Sequence, residues 1–304
     1  MKHNIIYFII ILISLNSCGF SQKGYKHIPR TRVSIKIPSG YKIMNTITGL
    51  QNSKSEMIMI VDMVGNDFYT STKNFTKDKF GMQGITVYDF YDTIVSGFDA
   101  KIMVANSDDI KFNSISLVFG DTTFSTMINS IHNSNDKQLE NKIKETLLSI
   151  KYNKNKEINP YENIFFSIDT TSTSFKLQGF SGNTYFFMPF GKDTSKNKSL
   201  IILTPQPFDK SMSLNSISRT FTNSMVKYGT YGFVTDSTSR YKNKKTDVLL
   251  KIGDCYVGVD RKYFYQLIMS KDDLCLYAFG MCDYENLLLK KEIQKFCEKI
   301  KIIN

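Results

Sequence analysis

Apolar residues recur along the chain at two periods, and the order of those periods runs through twice. Val33, Ile35 and Ile37 alternate with polar neighbours ahead of a Pro38-Ser39-Gly40 turn, which predicts a strand over 32–44. A short apolar run at 57–61 suits a buried strand, and 70–81 reads as a short helix carrying Phe75 and Phe80 and closed by Gly81. Strands follow at 85–91, 98–104, 111–119 and 123–131, separated by turn signals at 96–97, 106–109 and 120–121. A helix over 136–151 places Leu139, Ile143, Leu147 and Ile150 on one side. After a polar stretch at 153–160 that ends in proline, the order begins again. Strands at 165–168, 175–177, 184–188 and 200–203 precede a helix at 211–228 with Leu214, Ile217, Phe221 and Met225 on one face. Strands at 232–237, 248–255, 263–269 and 274–279 lead to a last helix at 284–301.

This is an internal repeat. Ile58-Met59-Ile60-Val61 matches Leu200-Ile201-Ile202-Leu203, Asn74-Phe75-Thr76 matches Thr220-Phe221-Thr222, and Val118-Phe119-Gly120 matches Ala278-Phe279-Gly280. Leu139, Ile143, Leu147, Ile150 and Lys151 match Leu289, Ile293, Cys297, Ile300 and Lys301. The expected fold class is α+β, with two tandem domains at 33–152 and 161–304 joined by a linker at 153–160. Each domain is an antiparallel meander packed by an internal and a C-terminal helix.

The first residues have a different logic. Met1-Lys2-His3-Asn4 carry one cation, and the apolar run at 5–15 is too short to span a bilayer, which is the pattern of a signal peptide over 1–17. Leu15-Asn16-Ser17-Cys18 resembles a bacterial lipobox, in which the cysteine thiol is acylated and becomes the new N-terminus. Lipidated Cys18 would hold the protein on a membrane, with 18–32 as a tether. Residues 19–23 (GFSQK) lack an acidic cluster, so the expected place is the outer membrane, facing the periplasm.

The entry strand through Ile35-Lys36-Ile37-Pro38 and Gly40-Tyr41, the helix, the meander, the Phe-Gly steps and the closing amphipathic helix together resemble the PsbP-like α/β/α sandwich. That family includes the DcrB-type bacterial lipoproteins. The resemblance implies an assembly, stabilising or binding subunit, and it brings no catalytic residues with it.

Composition adds limits. The formal charge is +11, and the excess is spread over both halves, with 18 cations and 14 anions in 18–157 and 20 and 14 in 158–304. Lysines outnumber arginines 34 to 5, which is a poor composition for reading nucleic acid, so no nucleic-acid partner is expected. Beyond Cys18 the cysteines are Cys255, Cys275, Cys282 and Cys297, an even number that permits a disulfide in an oxidising compartment. Cys297 should be buried, in the place of Leu147. No CxxC pair exists, so no metal and no cofactor is expected.

Catalytic signatures are absent from the sequence. There is no GxSxG elbow, and the SxxK matches at Ser39 and Ser195 lack their companion motifs. His27 falls in the tether and His132 at a strand end, where an exposed loop histidine is expected. Asp108-Asp109 and Asp272-Asp273 read as solvated turn residues. Thr93, Thr122, Thr170 and Ser237 follow an aspartate in a pattern that resembles a bacterial O-glycosylation acceptor. The expected function is non-enzymatic: a membrane-anchored envelope lipoprotein that binds an unidentified envelope protein. An immunity-type lipoprotein that neutralises a secreted toxin is the alternative, and it calls for a strongly charged face that the dispersed charge does not announce. An envelope hydrolase ranks third.

Overall fold

The alternation at Val33 and Ile35 becomes a strand, but that strand does not stand first in the fold. In the computed structural model, which describes residues 24–53, 55–107, 112–134, 136–190, 199–227 and 229–303, β1 (Tyr25–His27) pairs antiparallel with β2 (Val33–Lys36). Ile28, Arg30 and Arg32 are buried alongside. The part of the expected tether from Tyr25 onward is therefore part of the fold, because Ile28 fills the same apolar core as Val33 and Ile35.

The first large sheet is built from β3 (Lys42–Ile43), β4 (Gly49–Gln51), β5 (Met57–Val64), β6 (Ile85–Val95), β7 (Phe98–Ser107), β8 (Phe112–Asp121) and β9 (Phe124–Asn133). Its order is β3-β4-β5-β9-β8-β7-β6, antiparallel throughout. The helix expected over 70–81 is two short helices, α1 (Phe68–Ser71) and α2 (Lys77–Gly81). Each has its own cap: Asp67 accepts from the Tyr69 amide and Thr76 from the Lys79 amide. The side-chain oxygens of Thr72, Asn74 and Thr76 compete with the helical backbone between them. After α3 (Lys137–Leu148), β10 (Lys151–Tyr152) joins β2.

The second half has β11 (Phe166–Ser167), β12 (Phe175–Ser181), β13 (Thr184–Pro189), β14 (Leu200–Pro207), α4 (Leu214–Lys227), β15 (Thr230–Asn243), β16 (Thr246–Val257), β17 (Asp260–Lys271), β18 (Leu274–Asp283), α5 (Leu287–Glu298) and β19 (Lys301–Ile302). Its seven-stranded sheet runs β12-β13-β14-β18-β17-β16-β15, the strand order of the first sheet over again. Helices lie on both faces of each sheet. Ile143 and Leu147 of α3 join the main core of the first half, and Leu289, Ile293, Phe296 and Cys297 of α5 that of the second. On the opposite faces, Phe68 of α1 packs on Met103 and Val118, and Leu214 and Ile217 of α4 pack on Leu249, Phe264 and Tyr277.

Not every sequence match holds: Ile58 pairs with Ser130 and Ile201 with Gly280, so the buried Ile58 and Ile60 align with Ile201 and Leu203, one residue on from the match read in the sequence. Val118-Phe119-Gly120 lies on β8, whereas Ala278-Phe279-Gly280 lies on β18, which takes the place of β9. The topology instead aligns Ser130 with Gly280 and Ile143 with Ile293, both 150 residues apart, because β9 pairs with β5 as β18 pairs with β14. Gly280 lets α5 approach closely, since a Cβ there would lie 2.3 Å from Ile293 Cγ2.

A buried ion pair pins the first half. Asp62 accepts from the Arg32 backbone amide (2.9 Å) and guanidinium (2.8 and 3.1 Å), from Thr126 Oγ1 (3.1 Å) and from Tyr152 Oη (3.0 Å). The guanidinium also lies over the Tyr152 and Phe124 rings. The halves meet along a polar seam. His27 Nε2 lies 3.2 Å from Glu162, the Arg30 amide donates to the same carboxylate, and Asn183 and Asn163 donate to the Thr46 and Met44 carbonyls. His27 is thus a seam residue, and not part of a free tether.

Candidate functional site

The free edge of the second sheet is β15, a strand of 14 residues whose side chains are almost all exposed. Two bulges and a run of polar and charged residues protect it from pairing with another strand. Register decides which of its side chains face α4. Arg240 lies opposite Leu249, Lys242 opposite Asp247 and Thr238 opposite Lys251. Leu249 packs into the core beneath α4, so its directly opposed and alternate neighbours share that face.

Between α4 and this edge runs a groove. Its open end is a cavity of about 820 Å³ walled by Phe208, Met212 and Leu214 and ringed by Lys210, Arg240, Lys242 and Lys245. Asp247 and Asp272 are the only carboxylates among the described residues that line it. Lys242 faces Asp247 at 3.8 Å, in a solvent-exposed pair. The local excess of cations appears only in the fold. Arg240 and the Lys244-Lys245 turn come from one hairpin, and Lys210 comes from the loop before α4.

Further along α4 the groove narrows to a notch of about 490 Å³ that includes Ser218, Arg219, Thr222, Thr238, Lys251 and Gln266. Lys251 Nζ donates to Ser218 Oγ (2.9 Å), Ser218 donates to Gln266 Oε1 (2.6 Å), and Gln266 Nε2 donates to Tyr277 Oη (2.9 Å). Burial, with Arg219 nearby, lowers the Lys251 pKa.

The first half has the same groove with different residues. Its edge hairpin has a two-residue turn, Ser96-Gly97, where the other has Lys244-Lys245. Counted from those turns, Asp92 stands where Arg240 does, Ile94 where Lys242 does and Lys101 where Leu249 does. The cavity of about 640 Å³ there has as many carboxylates as cations: Lys101 Nζ donates to Asp92 (2.7 Å) and Tyr69 Oη to Asp99 (2.8 Å), and the exposed Lys73 also lines it.

The residues singled out in the sequence are placed as follows. Cys18, Asp108-Asp109 and Ser195 lie outside the described residues. Thr122 and Ser237 are exposed, while Thr93 and Thr170 are half-buried. His132 is not an exposed loop residue. It is fully buried on β9, with Nε2 3.4 Å from Glu140 of α3 and Nδ1 without a partner. Burial lowers its pKa. Burial alone would raise that of Glu140, but hydrogen bonds from Asn113, Lys137 and His132 outweigh it and hold the carboxyl below its usual range.

Cys255, Cys275, Cys282 and Cys297 are all buried and free, so the disulfide that their even number permits is not formed here. Sheet geometry accounts for most of this. Cys255 lies opposite Lys262 and Cys275 opposite Ser270, which puts them at opposite ends of the sheet, and Cys275 and Cys282 point to opposite faces. Burial pushes the Cys255 and Cys282 thiols up to about 12 and that of Cys275 to about 11. Among the described residues no group of three His, Cys, Asp or Glu could hold a metal, and no helix is long and apolar enough to cross a membrane.

Comparison with solved structures gives matches at low identity. The chain is similar to the immunity protein TplEi of the type VI secretion system of Pseudomonas aeruginosa, at 10% identity and a TM-score of 0.38, over 93% of this chain and 98% of that one. The same immunity protein in complex with an "L" peptide gives a TM-score of 0.36. A chain of the Tle4–Tli4 complex gives 11% identity and a TM-score of 0.38, over 93% of this chain and 99% of that one. At such identity no residue correspondence carries over. No protein-family model matches the chain, and no curated protein matches it in sequence. PsbP-like membership thus remains a resemblance in element order.

Proposed function

We propose that this is a lipid-anchored protein of the cell envelope that acts by binding another protein and performs no chemistry of its own. The observation that supports this is the groove beside α4. The first-half cavity balances Lys73 and Lys101 with Asp92 and Asp99, whereas the second has an excess of cations and presents Lys210, Arg240 and Lys245 with no ion-pair partner among the described residues. A partly exposed apolar wall ringed by an excess of cations suits an acidic protein segment. Charge complementarity of this kind raises association rates and selects partners more than it adds affinity.

Of the ways a bound partner could be used, the immunity-type role fits a one-sided charged face best. A neutraliser must meet its target quickly and hold it at the membrane. Deleting the gene should then leave cells poisoned on contact with the toxin's producers. Wild-type protein should restore them, and a triple Arg240→Glu, Lys242→Glu, Lys245→Glu variant at equal abundance should not. Full protection by that variant would refute the role of the groove. The anchor has its own test: Cys18→Ala should move the protein from the membrane to the soluble fraction, and wild-type levels in membranes would sink that part.

A further inference from the structure

The notch further along α4 holds positive charge with nothing to balance it. Lys251 and Ser218 form its floor with Gln266, Arg219 stands in its wall, and no carboxylate among the described residues lines it. The hydrogen-bond chain from Lys251 through Ser218 and Gln266 ends in the buried phenol of Tyr277, and not in an acid. The ammonium is therefore fixed in place by a hydroxyl without being neutralised. One of its three N–H groups is directed at Ser218, and two remain for a ligand. Ser218 is 1% exposed and its proton is donated to Gln266, so it serves as floor and not as nucleophile.

We infer that this notch binds a small oxyanion, a phosphate or carboxylate group, between the Lys251 ammonium and the Arg219 guanidinium. Lys251 is half-buried beside the exposed Arg219, and an anion between two neighbouring cations removes their mutual repulsion. Burial and Arg219 both favour the neutral form of Lys251, and a bound anion would reverse that. The Thr222 and Thr238 side chains line the same cavity and can supply neutral donors. The inference does not depend on the partner-binding reading, because Lys210, Arg240, Lys242 and Lys245 do not line this cavity.

Inorganic phosphate and acetate, titrated separately into the intact protein in detergent, provide the test, with calorimetry and the titration of the Lys251 ammonium as readouts. Saturable binding is expected, weakened about tenfold or more in Arg219→Gln and Lys251→Met, kept in Lys251→Arg and unchanged in Lys142→Gln, an exposed position on α3. The Lys251 pKa should rise when the anion binds. Tighter phosphate than acetate binding marks a phosphate site, and the reverse a carboxylate site; either upholds the inference. Absence of saturable binding, or equal loss in Lys142→Gln, would reduce it to diffuse attraction and overturn it. Should Lys251→Met fail to fold, the exposed Arg219→Gln substitution decides alone.

Discussion

The two halves share a strand order, yet one of their equivalent edge grooves is balanced in charge and the other is cationic. In the first, Asp92 and Lys101 face one another across β6 and β7 and neutralise each other locally. In the second, Arg240 and Leu249 hold those places, so the cation has no partner across the ladder. The supporting helix differs in the same sense. Two short capped helices cover little of the first groove, whereas the 14 residues of α4 build a long wall for the second. One copy of a duplicated scaffold is closed on itself, and the other is left open for a charged partner.

The largest expected effect asks whether the halves are energetically separate. Asp62→Ala removes the acceptor of Arg32, Thr126 and Tyr152 and leaves a buried guanidinium unpaired, which should cost about 3–5 kcal/mol. In urea the first half should then unfold in an earlier transition than the second. A single transition shifted as a whole would show that the polar seam couples them.

Next comes Gly280→Val. Its Cβ would meet Ile293, and overpacking of this kind costs about 1–3 kcal/mol. Ser130→Gly, at the equivalent place in the first half, should cost less. Thermal melts of both variants compare the two closing helices directly.

A smaller effect separates the halves by pH. His132 has its folded pKa lowered by burial, so the unfolded chain binds the proton more readily. Its contribution to stability is complete above the ordinary histidine pKa of about 6.5 and is lost as pH falls below it. Glu140, also lowered, loses its contribution at still lower pH, in the same direction. The second half has Cys282 and Lys290 at the corresponding places, 150 residues on, so it lacks this dependence. His132→Cys should flatten the change in urea midpoint between pH 7 and pH 5. An unaltered slope would assign it elsewhere.

The succession of elements along the chain and the helix faces were legible because they rest on local periodicity, whereas the sheet order was not: a simple meander was expected, but β5 pairs with β9 and β14 with β18. Leu139, Ile143, Leu147 and Ile150 declared a buried face, and three of the four are fully buried. The seam and the groove were not legible. Ile28 and Arg30 lie in a polar stretch that reads as a tether until tertiary contacts bury it. His132 sits among Asn and Ser, and only its partnership with Glu140, eight residues on and across a turn, makes a buried position tolerable. The cationic groove joins residues 210, 240, 242 and 245, and charge averaged along the chain hides such a meeting. The one local signal was the Lys242, Lys244 and Lys245 cluster at a hairpin turn.

Photo-crosslinking in intact cells tests the central claim most directly, with the reactive residue placed at position 245 in one strain and at position 73, in the first-half groove, in another. The account predicts a discrete, acid-rich protein product from position 245 that fades as salt rises and disappears in Arg240→Glu, Lys242→Glu. It predicts no such product from position 73. Equal products from both positions, or a position-245 product that survives the charge reversal, would contradict it.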